Sequence, residues 1–360
     1  MNRISQIAMG LVFGAFLAAG ANAQGEHGQG EFKMEPPKAA PLPPMPDKLP
    51  AWMDSPRYNE YFYKRGPYNF DIYNVRELAL DMNGVAVGHS MAYEDLVTGK
   101  EAGLETATWN RIVRVLKNPP KNMPGEKFIS PTFARYFGAL EKVFDWTHVM
   151  HAQTIDALTS TDLTQEQKDK EIEAIWRFYK AKVPYTIVGL PMNMGYLDAQ
   201  PYSGAFRAKY PKVNALFWGY HWLQVGLYEP LIVGRDVNER QAGVRATVAR
   251  FWQMLQDPPR TMPYQMPMTA AVAPQFAARY PEAAIIFDNL HSMHDVISDI
   301  LANPSVPRNR KRAEILRAAR AYRDDTSYVM PVEAWLTMSR EMGVENMGGP
   351  SVGFLPELPQ

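Results

Sequence analysis

The sequence contains no cysteine among its 360 residues. This absence excludes disulfide bonds, thiolate metal sites and covalent c-type haem attachment, which requires a C-x-x-C-H motif. The charges balance as well, with 38 Lys and Arg against 38 Asp and Glu. No excess of one sign therefore indicates a nucleic-acid partner. No long apolar run follows the first 23 residues, and we expect no stable membrane span in the mature protein.

The first 23 residues have the features of a secretory signal peptide. Arg3 supplies a basic start, an apolar run covers residues 7–19, and Ala21-Asn22-Ala23 forms an A-x-A cleavage site. We therefore expect cleavage after Ala23 and a periplasmic or secreted protein. The following segment, 24–60, is rich in proline and predicts a disordered leader.

Histidine is scarce, and its distribution is the most informative feature of the chain. Of the seven histidines, four occur in two copies of one string, F-D-x-x-H-x-M-H, at Phe144–His151 and Phe287–His294. Related segments precede both copies, including two loops of the form P-P-x-x-M-P. The pattern predicts an internal duplication, with half A at 66–190 and half B at 200–342.

Helical periodicity dominates both halves, and no segment shows clear strand alternation. We therefore predict an all-α fold, internally duplicated, with a central four-helix-bundle-like core, flanking helices and extended N- and C-terminal segments, the latter at 343–360. The predicted core helices are 76–97, 134–158, 212–233 and 281–302. The predicted flanking helices are 101–117, 165–182, 241–256 and 308–323.

The repeated string places potential metal ligands on one side of a helix. Asp, His and His at positions i, i+3 and i+6 span an arc of roughly 120°. The first predicted core helix of each half adds a histidine and a Tyr-Glu pair. Buried Asp and His side chains need partners, and a metal ion is a simple common partner; plain core histidines are the alternative. The predicted metal ligands are His89, Glu94, Asp145, His148, His151, His221, Glu229, Asp288, His291 and His294.

Tyr93 and Tyr228 are candidates for a catalytic role, although a buried core tyrosine with one hydrogen bond has the same sequence signature. The overall pattern resembles that of the di-metal carboxylate four-helix bundles. Those proteins place a Glu on each of two helices and Glu-x-x-His on each of the other two. This chain departs from them in having Asp in place of the paired Glu, and additional histidines.

Three functions fit these residues. The first is an exported metalloprotein acting as a redox metalloenzyme, with a mono- or di-nuclear non-haem site for a small-molecule substrate. The second is a non-catalytic protein that binds or delivers copper or iron, and the third is an electron carrier with non-covalent haem b. Asp and His ligands favour iron, manganese or zinc, whereas His with Met favours copper. The chain has 20 Met residues, and iron or copper is the metal we expect.

Overall fold

The computed structural model describes most of both predicted halves. The signal peptide, the proline-rich leader, the P-P-x-x-M-P loops and the C-terminal tail lie outside the described residues, so those predictions remain predictions. The described residues are 86–118, 125–181, 185–193, 195–256, 267–323 and 328–342.

The described residues are helical and confirm the all-α class; they form no strand, and Met192 and Val329 make an isolated bridge. None of the helices in these ranges is long and apolar enough to cross a membrane. The helices are α1 (Ala86–Thr98), α2 (Leu104–Lys117), α3 (Glu126–Ile129), α4 (Pro131–Thr159), α5 (Gln165–Lys180), α6 (Gly195–Asp198), α7 (Ala205–Lys209), α8 (Pro211–Gly226), α9 (Tyr228–Val233), α10 (Val237–Gln256), α11 (Thr269–Val272), α12 (Pro274–Arg279), α13 (Pro281–Ala302), α14 (Arg308–Arg323) and α15 (Val332–Met342).

Helix boundaries follow local chemistry. Proline occupies the first turn of α4, α8, α12 and α13, where its missing N–H removes no helical hydrogen bond. The residues before Pro211 and Pro281 are Tyr210 and Tyr280, both with φ −132°, because the residue before a proline is excluded from the helical region. Phe137 adopts a similar φ of −133° and kinks α4.

One predicted core helix differs from its expected form. The segment 212–233 is divided at Leu227 into α8 and α9. Pro230 supplies the reason, because a proline in a helix cannot donate the hydrogen bond to the carbonyl four residues earlier. Helix α15 was not expected from the sequence.

The histidine-bearing helices pack against one another. Helix α1 contacts α4 and α13, α4 contacts α13, and α8 also contacts α13. Their interior is a continuous hydrophobic core that includes Phe144, Met150, Phe287 and Met293. The buried polar groups of these helices therefore lie in apolar surroundings, where each needs a partner. The symmetry of the two halves and the bundle arrangement remain predictions.

Candidate metal centre

Six histidines come together in the interior of the protein. His89 lies on α1, His148 and His151 on α4, and His221 on α8. His291 and His294 lie on α13. Each residue is between 1% and 6% exposed. The structure thus gathers every histidine of its described part into one buried group.

Five of the imidazole rings stack in a column. Its order is His148, His294, His89, His221 and His291, with centroid separations of 6.0, 4.3, 4.9 and 4.1 Å and interplanar angles between 12° and 19°. The sixth ring, His151, packs edge-on against two aromatic side chains from half B. We call these six residues the histidine cluster.

Burial keeps four of the five rings in the column neutral. Desolvation, reinforced by the neighbouring His148, lowers the pKa of His89 to about 3. Desolvation and the adjacent histidines lower the pKa values of His221, His291 and His294 well below the usual value. The imidazoles of these residues are therefore uncharged at neutral pH, and neutral imidazole is the form that binds a metal ion.

Three nitrogens of the histidine cluster have no hydrogen-bond partner: Nε2 of His89, Nδ1 of His291 and Nε2 of His294. A buried polar atom left unsatisfied costs roughly 1–3 kcal/mol. Such atoms are rare in folded proteins, and an absent ion is one established explanation for them. Three of them in one group of contacting rings set this region apart from an ordinary core.

His148 has a carboxylate partner that sequence reasoning missed. Its Nδ1 lies 2.9 Å from Oε1 of Glu126, and Ser90 donates to the other oxygen of that carboxylate at 2.9 Å. Burial raises the pKa of Glu126, and the hydrogen bonds from His148 and Ser90 oppose the rise. Glu126 belongs to the four-residue helix α3, and no local pattern in the sequence indicates that it reaches α4.

The two candidate tyrosines each contact a histidine from the other half. The Tyr93 hydroxyl lies 2.9 Å from Nδ1 of His294, and the Tyr228 hydroxyl is hydrogen-bonded to Nδ1 of His151. Both tyrosines are fully buried. Tyr93 follows His89 by one turn of α1, so these two residues reach the cluster from the same side of the helix.

The predicted aspartate ligands are bonded to protein groups. Asp145 accepts from the backbone N–H of Glu126 at 3.2 Å and from Lys142 Nζ at 2.8 Å. Asp288 accepts from the backbone N–H and hydroxyl of Thr269 at 2.9 and 2.7 Å, and from Trp335 Nε1 at 3.1 Å. Both aspartates thus tie the histidine helices to neighbouring segments.

The predicted glutamate ligands lie at helix N-termini. Glu94 accepts from the backbone N–H groups of Thr132 and Phe133 in α4. Glu229 accepts from those of Gln275 and Phe276 in α12. Negative charge is favourable there because the first N–H groups of a helix lack internal partners. The structure therefore gives these carboxylates capping contacts.

Within the part of the chain that the structure describes, no three His, Asp or Glu side chains converge in an arrangement that would hold a metal ion. Stacked parallel rings direct their nitrogens into separate planes, so convergence requires some rings to turn. The terminal χ2 torsion of histidine has a broad energy profile. The donor set therefore fits a metal, although the stacked arrangement of the rings is not a coordination geometry. Comparisons with protein-family models, curated proteins and solved structures find no match to this chain.

Proposed function

We propose that the chain is an exported redox metalloenzyme whose histidine cluster binds one or two non-haem transition-metal ions. The observation that carries the proposal is the set of three unpartnered nitrogens on His89, His291 and His294, inside a buried group of six histidines. An ion bound by these nitrogens would satisfy all of them at once. The signal-like first 23 residues support export.

The donor chemistry favours iron or copper as the bound metal. Imidazole suits iron, copper, zinc and nickel, and only the first two have accessible redox chemistry in most protein sites. The predicted carboxylate ligands are engaged elsewhere, so the set is richer in nitrogen than that of a di-metal carboxylate bundle. The carboxylate of Glu126 contacts His148 of the cluster.

The depth of the histidine cluster favours catalysis over metal delivery. A delivery protein must hand its ion to a partner through an accessible site, whereas each of these histidines is at least 94% buried. A buried centre can admit dioxygen, peroxide or a molecule of similar size. We therefore propose a small-molecule substrate.

The residues of the chain would perform three tasks. Histidines of α1, α4, α8 and α13 would hold the ion, which would supply electron transfer when bound. Packed aromatic rings would exclude bulk water. The ring centroids of Phe144 and His294 are 4.2 Å apart, and those of Phe287 and His151 are 5.0 Å apart. Tyr93 and Tyr228 would hold histidine rings in place through their hydroxyls.

Elemental analysis combined with an optical spectrum tests the proposal on the full chain exported in a native-like host. We expect stoichiometric iron or copper and no Soret band. A Soret band would instead support the haem-binding alternative. Zinc alone, or no metal, would contradict a redox centre.

Variants of the histidine cluster link the metal to these residues. His148→Ala and His291→Ala should each reduce bound metal, and the double variant should nearly abolish it. His27→Ala is the matched control because His27 is the only histidine outside the cluster. Full metal content in a folded double variant would refute a shared site.

A further inference from the structure

The position of the proton decides which nitrogen of a neutral histidine can bind a metal. One ring nitrogen carries a hydrogen and the other a lone pair, and the hydrogen-bond partner of the first selects the tautomer. Metal-ligating histidines usually donate this N–H to a carboxylate, carbonyl or other acceptor. The hydrogen-bond partners of His148, His151 and His294 therefore indicate which ring nitrogen of each would bind a metal ion.

The Tyr93 hydroxyl faces two groups of His294. It lies 2.9 Å from Nδ1 and donates to the backbone carbonyl oxygen at 3.0 Å. A hydroxyl has one proton, and a carbonyl oxygen can only accept. With hydrogen on Nδ1, the ring donates to the tyrosine and the tyrosine donates to the carbonyl, so both contacts are hydrogen bonds. In the opposite tautomer the hydroxyl would donate to Nδ1, and its 3.0 Å contact with the carbonyl oxygen, which also accepts from the Ser298 hydroxyl at 2.8 Å, would not be a hydrogen bond.

Tyr228 makes the equivalent pair of contacts with His151. Its hydroxyl is hydrogen-bonded to Nδ1 and lies 3.5 Å from the backbone carbonyl oxygen of the same residue. The same arrangement thus occurs twice, with the tyrosine and histidine exchanged between the two halves. The occurrence of the contact in both predicted halves supports it as a built feature of the fold.

Glu126 selects the same tautomer at His148 by a different route. In its ionised form the Glu126 carboxylate has acceptor sites only, and the 2.9 Å contact with Oε1 then places the hydrogen on Nδ1 of His148. The Ser90 hydroxyl donates to the other oxygen and stabilises the ionised form. The carboxylate–histidine pair is a frequent outer-shell arrangement at metal sites.

We infer that Tyr93, Tyr228 and Glu126 are positioning residues that fix His294, His151 and His148 with hydrogen on Nδ1, so that each presents the Nε2 lone pair to a metal ion. The inference rests on the proposed metal centre. It agrees with the unpartnered Nε2 of His294. His291 differs from His148, its counterpart in the other repeated string, because its Nδ1 has no partner. Thr269 lies at the position that corresponds to Glu126, and its hydroxyl donates to Asp288.

Nitrogen-15 NMR of the metal-free full chain tests the tautomers directly. Long-range correlations between the ring nitrogens and the ring protons bound to carbon distinguish a protonated Nδ1 from a protonated Nε2. We expect protonated Nδ1 at His148, His151 and His294. A protonated Nε2 at any of these would overturn the assignment for that residue. Adding Zn²⁺, a diamagnetic ion that imidazole binds, should shift the Nε2 signals and leave the protons on Nδ1.

Variants test the positioning role through Zn²⁺ affinity measured by competition with a chelator. Loss of an outer-shell partner typically weakens metal affinity 10–100-fold, and we expect such a loss for Tyr93→Phe, Tyr228→Phe and Glu126→Ala. Glu126→Gln should restore most of the affinity because its amide oxygen still accepts from His148. Equal affinity in Glu126→Ala and the unmodified chain would overturn the role of Glu126, and unchanged affinity in both tyrosine variants would overturn theirs.

Two control variants separate positioning from general damage. Tyr179→Phe removes a buried hydroxyl that contacts Thr147 and Ile187. Glu141→Gln changes a buried carboxyl of which one oxygen, Oε1, has no hydrogen-bond partner. Neither should change the affinity for Zn²⁺. If Nδ1 is protonated as expected but no ion binds, the proposed metal centre fails and the tautomer assignment stands.

Discussion

Asp145 and Asp288 hold the same place in the two repeated strings but lie in different electrostatic surroundings. Each accepts a hydrogen bond from the backbone N–H found 19 residues earlier, on Glu126 at 3.2 Å and on Thr269 at 2.9 Å. Their other oxygens differ. Asp145 faces the Lys142 ammonium, whereas Asp288 faces the Trp335 indole N–H.

The partners determine the charge of each site. Burial alone lowers the pKa of Lys142, but the carboxylates of Asp145 and Glu141 raise it overall, so the lysine remains a cation. Burial raises the pKa of Asp288 to about 7, with hydrogen bonds from Thr269 and Trp335 opposing the rise. Half A thus contains the buried ion pair of Lys142 and Asp145. Half B contains Asp288, which is partly protonated near neutral pH because its pKa is about 7.

The aspartate of the repeated string makes the same contact with a backbone N–H in both halves. Residues outside the string determine whether that aspartate also faces a charged partner. Lys142 and Ile285 precede their aspartates by the same three positions. Glu126 and Thr269 likewise correspond by their spacing, and only Glu126 reaches a histidine. The histidine cluster therefore has a carboxyl partner at its His148 end.

Removing the buried Lys142 ammonium, which pairs with Asp145, should have the largest effect on the free energy of unfolding. Lys142→Met leaves the Asp145 carboxylate buried without its partner, and breaking a buried ion pair typically costs about 3–5 kcal/mol. Urea denaturation should show this decrease in the free energy of unfolding. Adding Asp145→Asn should recover part of the loss, because it removes the uncompensated charge.

Ile285→Met is the matched control in half B. It changes a buried apolar side chain at the corresponding position, and such volume-conserving exchanges usually cost less than about 1.5 kcal/mol. If Lys142→Met and Ile285→Met destabilised the protein equally, the proposed electrostatic difference between the halves would be wrong.

The second prediction concerns the pH dependence that Asp288 confers. Its pKa is about 7 in the folded protein, against a usual value of 3.8. From about pH 4 to 7 the folded state therefore keeps a proton that the unfolded state has lost, and stability falls as pH rises. The full effect is on the order of 4 kcal/mol, from a shift of about three pKa units at about 1.4 kcal/mol each.

Asp288→Asn isolates this contribution because asparagine does not titrate. Relative to the unmodified protein, the variant should become progressively more stable between pH 4 and 7, apart from a constant offset for the altered hydrogen bonds. Urea denaturation at several pH values measures the difference. A difference that stays constant over this range would contradict the raised pKa.

Much of the fold could be predicted from the sequence. The predicted helices 281–302 and 308–323 coincide with α13 and α14, because helical periodicity and flanking prolines are local signals. The two copies of the repeated string lie on α4 and α13, so the proximity of the histidines followed from the duplicated pattern. Phe137 and Tyr280 are both buried and have similar backbone angles, whereas Tyr136 is 52% exposed.

The partners of the site residues could not be predicted, because they depend on long-range packing. Glu126 and Trp335 lie 22 and 47 residues from the side chains they contact, and neither belongs to a repeated motif. The stacking of the histidine rings is also a tertiary feature. Sequence periodicity specifies the side of a helix, whereas the choice among nearby partners requires the packed structure.

The two halves are alike at Glu94 and Glu229, which cap helix N-termini. Substitutions there should have the smallest effect on the free energy of unfolding. Glu94 and Glu229 each accept two backbone N–H groups at the start of a helix. Replacing either by Gln keeps an oxygen acceptor but removes the charge, at a cost of about 0.3–1 kcal/mol. Urea denaturation of Glu94→Gln and Glu229→Gln should give similar losses, and bound metal should not change. Loss of metal in either folded variant would return that glutamate to the ligand set and would show that the halves differ at their caps as well as at their aspartates.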